Sequence, residues 1–177
     1  ELHAKLVAEA GTRGVAHGFV ENRNAITCAI PHKGFAVTVS CDLESWFDTV
    51  TSDQLVAAGV PPDVVEAITI PDEHGVRRCR QGLPTSPVAA NIAAVALDVD
   101  ILWSMNALKA NMIKFAHNDF TFAYTRYADD ITVSFSATHG NIVINHVVDM
   151  IARQAAFRQW KIAEHKTHIQ TAKAGRR

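Results

Sequence analysis

The period of the hydrophobic positions changes several times along the chain, and each change predicts an element. Phe35–Cys41 (FAVTVSC) is β-branched and aromatic and reads as a buried strand. Phe120–Arg126 and Ile131–Phe135 have the same character and flank Tyr127-Ala128-Asp129-Asp130, which predicts a hairpin. Helical spacing predicts a short helix over Leu2–Ala10. A second is capped by Thr51 or Ser52 and ends near Gly59, and a third restarts at Pro61-Pro62 and runs through Ala67. Gly75–Arg80 reads as a strand. The longest helix follows Ser86-Pro87, with Ala89, Ile92, Ala93, Ala96 and Leu97 on one face and Trp103 and Met105 in the core. Asn141 opens another helix to about Gln159, and Lys161–Gln170 is a final extended segment. This order predicts an α+β fold, an antiparallel sheet with helices on one face.

The 177 residues, 48% of them hydrophobic, suffice for one unit with a real core, and no repeat or linker divides them. No run of about 18 uninterrupted apolar residues occurs, so no membrane span is expected. The opening ELHAKLVAEA lacks the pattern of a signal peptide. Cys28, Cys41 and Cys79 are scattered without a CxxC pair, which fits reduced thiols in a cytoplasm better than disulfides or zinc. A net charge of −1 hides an asymmetry: Ile151–Arg177 holds seven basic residues and one acid, so this end is +6 and residues 1–150 are −7. Such a division suits a protein whose carboxylates hold cations and whose lysines meet phosphates, although a solvated charged face reads the same way.

Three carboxylates carry the chemistry. Asp42 falls at the end of the first strand, and Asp129 and Asp130 at the tip of the hairpin. Adjacent carboxylates in a tight turn repel each other unless a cation neutralises them. A third at a neighbouring strand end completes what a two-metal phosphoryl-transfer site requires, with hard oxygen ligands suited to Mg²⁺. An Asp-Asp pair alone is more often a solvated turn.

The surrounding blocks sharpen that reading. Asp42-Leu43-Glu44-Ser45-Trp46-Phe47-Asp48, Gln81-Gly82-Leu83-Pro84-Thr85-Ser86-Pro87, Tyr127-Ala128-Asp129-Asp130, and Trp160-Lys161-Ile162 with Lys166-Thr167 occur in that order. Together they resemble four palm motifs of the reverse transcriptase family. Upstream, Ala16-His17-Gly18-Phe19-Val20, Arg23 and Thr27–His32 resemble the retron-type bacterial enzymes. Those usually carry Asn-Ala-x-x-His, where this chain has Cys28-Ala29-Ile30-Pro31-His32. Related phage-defence and group II intron enzymes therefore stay alongside retrons, and the resemblance covers about Val15 to Thr171.

The resemblance implies a polymerase palm with a ferredoxin- or RRM-like sheet over residues 35–177 and partial fingers over 1–34. The family's basic finger segment and thumb are expected outside this chain. It implies RNA-directed DNA synthesis, in bacterial cytoplasm, by a nucleotidyltransferase that adds dNTPs to a primer 3′-hydroxyl. Two Mg²⁺ ions, with Mn²⁺ as a substitute, would be held by Asp42, Asp129, Asp130 and the Leu43 carbonyl. Lys166 would be the catalytic acid for the leaving pyrophosphate. Phe47, Gln81 and Gly82 would select the nucleotide and its sugar, and Arg23, Tyr127, Pro84 and Ser86 would meet template or primer. The implied partners are an RNA template, a primer, dNTPs, a cognate structured non-coding RNA and an accessory effector of antiviral defence. The alternatives are an RNA-dependent RNA polymerase and a non-catalytic palm that serves as an RNA-binding scaffold. Elsewhere, His165 and His168 are expected on opposite faces of a strand, His32 is expected to be structural, and Arg77, Arg78 and Arg80 either touch phosphates or lie on a surface strand.

Overall fold

The computed structural model describes residues 14–116, 119–136 and 140–172. The segment Leu2–Ala10 and the basic residues Lys173–Arg177 lie outside the described residues. Four antiparallel strands form the main sheet: β1 (Val37–Asp42), β4 (Phe122–Tyr127), β5 (Asp130–Phe135) and β6 (His168–Thr171), in the order β4-β5-β1-β6. A small second sheet pairs β2 (Ile70–Pro71) with β3 (Arg77–Arg78). The expected strand Gly75–Arg80 is thus only two residues long. Asp72 accepts bonds from the backbone of His74 and Val76, which turns the chain tightly and leaves little length for pairing.

The helices are α1 (Ala25–Ala29), α2 (Trp46–Thr49), α3 (Ser52–Ala57), α4 (Pro62–Ile68), α5 (Ser86–Ala116) and α6 (Gly140–Phe157). Thr51 caps α3 with a reciprocal box: its hydroxyl accepts from Gln54 N–H while the Gln54 side chain accepts from Thr51 N–H. Proline at the start of α4 uses a position where the missing N–H costs nothing.

Alternation along β1 places Val37, Val39 and Cys41 in the core with Ile131, Val133 and Phe135 of β5. Helices α5 and α6 and Leu55 of α3 complete that core. The other face carries Thr38, Ser40, Asp42, Thr132 and Asp130, a polar row on the two central strands. This face is covered in part, because α1 and the 3-10 turn Ile30–His32 fold over β4 and β5. There His32 bridges Ser134 (2.9 Å) and Thr125 (2.7 Å). The structural expectation for His32 is met.

Helix α5 departs from the one-faced stripe expected of it. Residues 89–94 are all buried, on every side of the helix, because the first half passes between the sheet and the segments on either flank. A helix that is apolar all round is a buried one. Its length and composition would also let it cross a membrane, yet more than half of that stretch is inside the protein. Met105 is fully buried as expected. Trp103, however, is 74% exposed, because two residues along a helix turn through about 200°, so neighbours at i and i+2 cannot share the core face. At the far end, Lys161–Gln170 is broken: a 3-10 turn at Glu164–Lys166 separates a single bridge at Ile162 from β6.

Candidate active site

The hairpin loop is two residues, Ala128 and Asp129, between the paired Tyr127 and Asp130. Ala128 adopts φ +58°, the left-handed region that such loops demand and that glycine usually fills. Asp130 opens β5 directly opposite Asp42, the last residue of β1. Directly opposed residues hold their Cβ atoms about 4.5–5.5 Å apart, and like charges there destabilise the sheet. Asp129 is bound to the same corner, since Leu43 N–H donates to its carbonyl (3.1 Å). All three aspartates therefore reach one corner of the polar face, as their strand-end placement implied.

The electrostatics at this corner favour a cation. Asp130 Oδ1 is buried with no hydrogen-bond partner among the described residues. Burial, then the negative charges of Asp42 and Asp129, push the Asp130 carboxyl above the usual carboxylate range. The donor set is hard oxygen, which fits Mg²⁺ or Mn²⁺ rather than a soft metal. Among the described residues, no three acidic, His or Cys side chains converge into a preformed cage. Instead, Lys166 Nζ lies 3.1 Å from Asp42 Oδ2 and supplies the positive charge there. The pair is partly solvent-exposed and contributes at most about 1 kcal/mol.

Lys166 reaches Asp42 because the chain after α6 is bonded back along the end of β1. Glu44 N–H donates to Lys161 O (2.8 Å) and Ala163 N–H to Asp42 O (2.8 Å), and Lys166 N–H closes the following turn on Ala163 O (2.9 Å). The same turn breaks the strand alternation expected for His165 and His168. His165 lines the site cleft, and His168 is paired with Ser40, next to the strand end that carries Asp42.

A cleft of about 470 Å³ opens beside the carboxylates, lined among others by Phe47, Asp48, Gln81, Asp129, His165 and Lys166. Trp46 is buried while Phe47 is half-exposed to this cleft, so of two adjacent aromatics one turns inward and one toward the site. The Phe47 ring is braced by Trp46 (5.3 Å between centroids) and by Phe19 edge-on (6.2 Å). Gly82 takes φ +92° in the exposed loop beside Gln81. A second cavity, of about 430 Å³, lies on the same sheet face and is lined by Cys28, His32, Thr125, Tyr127 and Asp130.

The remaining residues implied by resemblance sit differently. Pro84 is exposed at the loop before α5. Ser86 is buried, and its hydroxyl is committed to the Arg80 backbone, donating to its carbonyl (2.7 Å) and accepting from its N–H (3.1 Å). Arg23 donates to the carbonyls of Gly14 (2.6 Å) and Ala16 (3.3 Å), which turns its head into its own loop. Arg77 is tied to Thr69 and the Glu66 carbonyl, Arg78 to Asp72 (3.0 Å), and Arg80 to Asp48 (3.8 Å).

Sequence reasoning missed a buried network directly under the hairpin. Arg126 and Asp98, both essentially inaccessible, form a two-pronged ion pair: Nε to Oδ1 at 2.8 Å and Nη2 to Oδ2 at 2.9 Å. Arg126 Nη1 also donates to Asn91 Oδ1 (2.9 Å) and to the Ala128 carbonyl (2.8 Å), while Tyr124 donates its hydroxyl to Asp98. Gly18 completes the wall, since a Cβ there would lie 2.4 Å from Ala128 N. The available signal was one base in the apolar strand FAYTRY and two acids in the apolar run VALDVDILW, of which Asp98 is the buried one. An isolated charge of each sign in buried elements requires a partner.

Comparison with known proteins agrees with this geometry. The family described as "Reverse transcriptase (RNA-dependent DNA polymerase)" matches residues 10–175, and the chain belongs to that family. It is 29% identical to the retron Mx65 reverse transcriptase of Myxococcus xanthus over 94% of the chain. It is also 29% identical to the retron Mx162 reverse transcriptase of the same organism, over 75% of the chain. It spans 40% and 29% of the lengths of these two relatives. The fold resembles telomerase from Candida albicans, with a TM-score of 0.61 at 11% identity over 97% of this chain and 34% of that one. Telomerase from Candida tropicalis is similar, with a TM-score of 0.56 at 14% identity over 99% of this chain and 40% of that one. The palm with partial fingers is thereby borne out as the fold, and the retron-type resemblance with it.

Proposed function

We propose that the protein carrying this chain is an RNA-directed DNA polymerase that adds deoxynucleotides to a primer 3′-hydroxyl by two-metal phosphoryl transfer. The observation that carries this reading is the opposition of Asp42 and Asp130 across neighbouring strands, with Asp129 in the loop and a buried Asp130 oxygen that lacks a hydrogen-bond partner among the described residues. Divalent cations held by Asp42, Asp129, Asp130 and the Leu43 carbonyl would supply Lewis-acid activation of the hydroxyl and neutralise charge at the triphosphate.

The chain's own residues do the rest. Phe47 sets the floor of the cleft where the incoming sugar lies, and Gln81 and Gly82 border the nucleotide. Lys166 presents an ammonium at the same corner, on Asp42, and would give a proton to the leaving pyrophosphate. Tyr127 and the exposed Pro84 would flank the path of primer and template, whereas Ser86, buried and bonded to the Arg80 backbone, holds the start of α5. Arg23 contributes by fixing the Gly14–Ala16 segment, which bridges laterally to Arg126 of β4, rather than by direct contact. The names of the Myxococcus relatives favour a retron-like role, with a cognate structured RNA as template and an accessory effector as partner.

The test is extension of a primer on an RNA template by the intact protein, with Mg²⁺ or Mn²⁺ and either dNTPs or rNTPs. Incorporation of dNTPs is expected. A preference for rNTPs would favour an RNA polymerase, and template binding without incorporation would favour a scaffold.

A further inference from the structure

We infer that Arg126 and Asp98 are positioning residues that set Asp129 in its working place by holding the backbone of the hairpin from below. The inference rests on the polymerase reading above and assigns a role in it to two residues buried beneath the site.

The geometry of the loop shows why a clamp is needed. Ala128 holds a left-handed backbone without being glycine, a conformation that costs about 1–2 kcal/mol for a residue with a Cβ. Left alone, such a loop relaxes to other turns and carries Asp129 with it. Two bonds oppose this. Arg126 Nη1 donates to the Ala128 carbonyl, which belongs to the same peptide plane as the Asp129 N–H, and Leu43 N–H donates to the Asp129 carbonyl. Asp129 is thus fixed at both of its peptide bonds. The Leu43 bond ties it to the Asp42 strand, and the Arg126 bond ties it to the interior.

The guanidinium can act as an anchor because four of its five N–H donors are engaged, through all three nitrogens. Asp98 takes Nε and Nη2 as a fork, and Nη1 is divided between Asn91 and the loop carbonyl. Its carbon lies 5.3 Å from the centre of the Trp46 ring, immediately before Phe47. Asp98 is in turn held by Tyr124. Asn91 donates to the Gly18 carbonyl (2.8 Å), and Gly18 packs on the Tyr127–Ala128 peptide with no room for a Cβ. One cation therefore joins α5, the aspartate hairpin and the aromatic pair beside the nucleotide cleft. Fully buried ion pairs add little net stability over apolar residues of the same volume, so stability alone does not explain this pair.

The decisive variant is the double substitution Asp98→Leu/Arg126→Met in the intact protein, which removes both charges together and leaves neither unpaired. It should retain its circular dichroism and cooperative unfolding. Its kcat for dNTP addition should fall about 100-fold, the effect of a small misplacement of a reacting group. KM for dNTP should stay within about threefold. Mn²⁺ binding, read by electron paramagnetic resonance on the complex with primer and template, should weaken about tenfold, as when a ligand loses its support. A folded double variant with wild-type kcat and Mn²⁺ affinity would overturn the inference.

Should the double variant fail to fold, Arg126→Lys decides. It keeps the charge for Asp98, but one ammonium cannot reproduce the planar fork and also reach the loop carbonyl. Loss of kcat in that folded variant supports the clamp, and unchanged kcat removes it. If the wild-type protein itself adds no dNTP, the polymerase reading falls, and the Mn²⁺ measurement alone decides the clamp.

Discussion

Replacement of Phe47 by alanine separates DNA from RNA synthesis, and the structure sets the size of both its effects. Truncating a fully buried phenylalanine costs about 3–5 kcal/mol. Phe47 is only partly buried, with one side on Trp46 and Phe19 and the other open to the cleft. About half that cost, ~2 kcal/mol, is therefore expected, and the variant should remain folded. In the wild type, a ribose 2′-hydroxyl against this ring loses its water without finding a partner. That penalty is about 1–3 kcal/mol, or roughly 5- to 150-fold in rate, before any steric exclusion is added. Phe47→Ala should remove it. The assay is the ratio of kcat/KM for a dNTP to that for the matching rNTP, in wild type and variant, on one RNA template. The ratio should collapse by at least an order of magnitude, while deoxynucleotide addition falls only modestly. An unchanged ratio in a folded variant refutes the placement of the ring beneath the sugar.

The other expectations follow from the same corner. Asp129→Asn should lower primer extension by several orders of magnitude with the melting temperature little changed, and near-normal extension would remove the carboxylate from the metal site. Lys166→Leu should slow single-turnover addition more than it weakens nucleotide binding, whereas a pure loss of binding would make the ammonium a phosphate contact. Gly18→Ala must displace the Ala128 backbone, because its Cβ would lie 2.4 Å from Ala128 N. Overpacking of this kind costs about 1–3 kcal/mol, so thermal unfolding should drop by several degrees, and an unaltered midpoint would show that the loop yields freely.

Much of the site was legible because the signals are local. Alternation placed β1 and the hairpin within a residue or two, and the Thr51 box and Ser86-Pro87 marked helix starts by capping chemistry that needs no distant partner. The three aspartates could be assigned to strand ends because alternation and turn signals are local, whereas the role of Phe47 came from the motif resemblance. What the sequence left open depends on pairs of elements. Trp103 and Met105 lie in the same apolar run, and only the packing of α5 decides that one is solvent-facing and the other buried. The strand expected over Lys161–Gln170 is interrupted by a turn at Glu164–Lys166, because bonds to the end of β1 at Asp42 and Glu44 redirect it, and only its last part pairs as β6. Arg126 and Asp98 stand 28 positions apart, and nothing in either apolar run names the other as its partner. Their pairing exists only because α5 crosses behind β4, where desolvation forces each charge to find the other. A sequence states which side chains each element can offer. Which of them meet is settled by the order of strands and the helix laid across them, and here that settles what holds Asp129 in place.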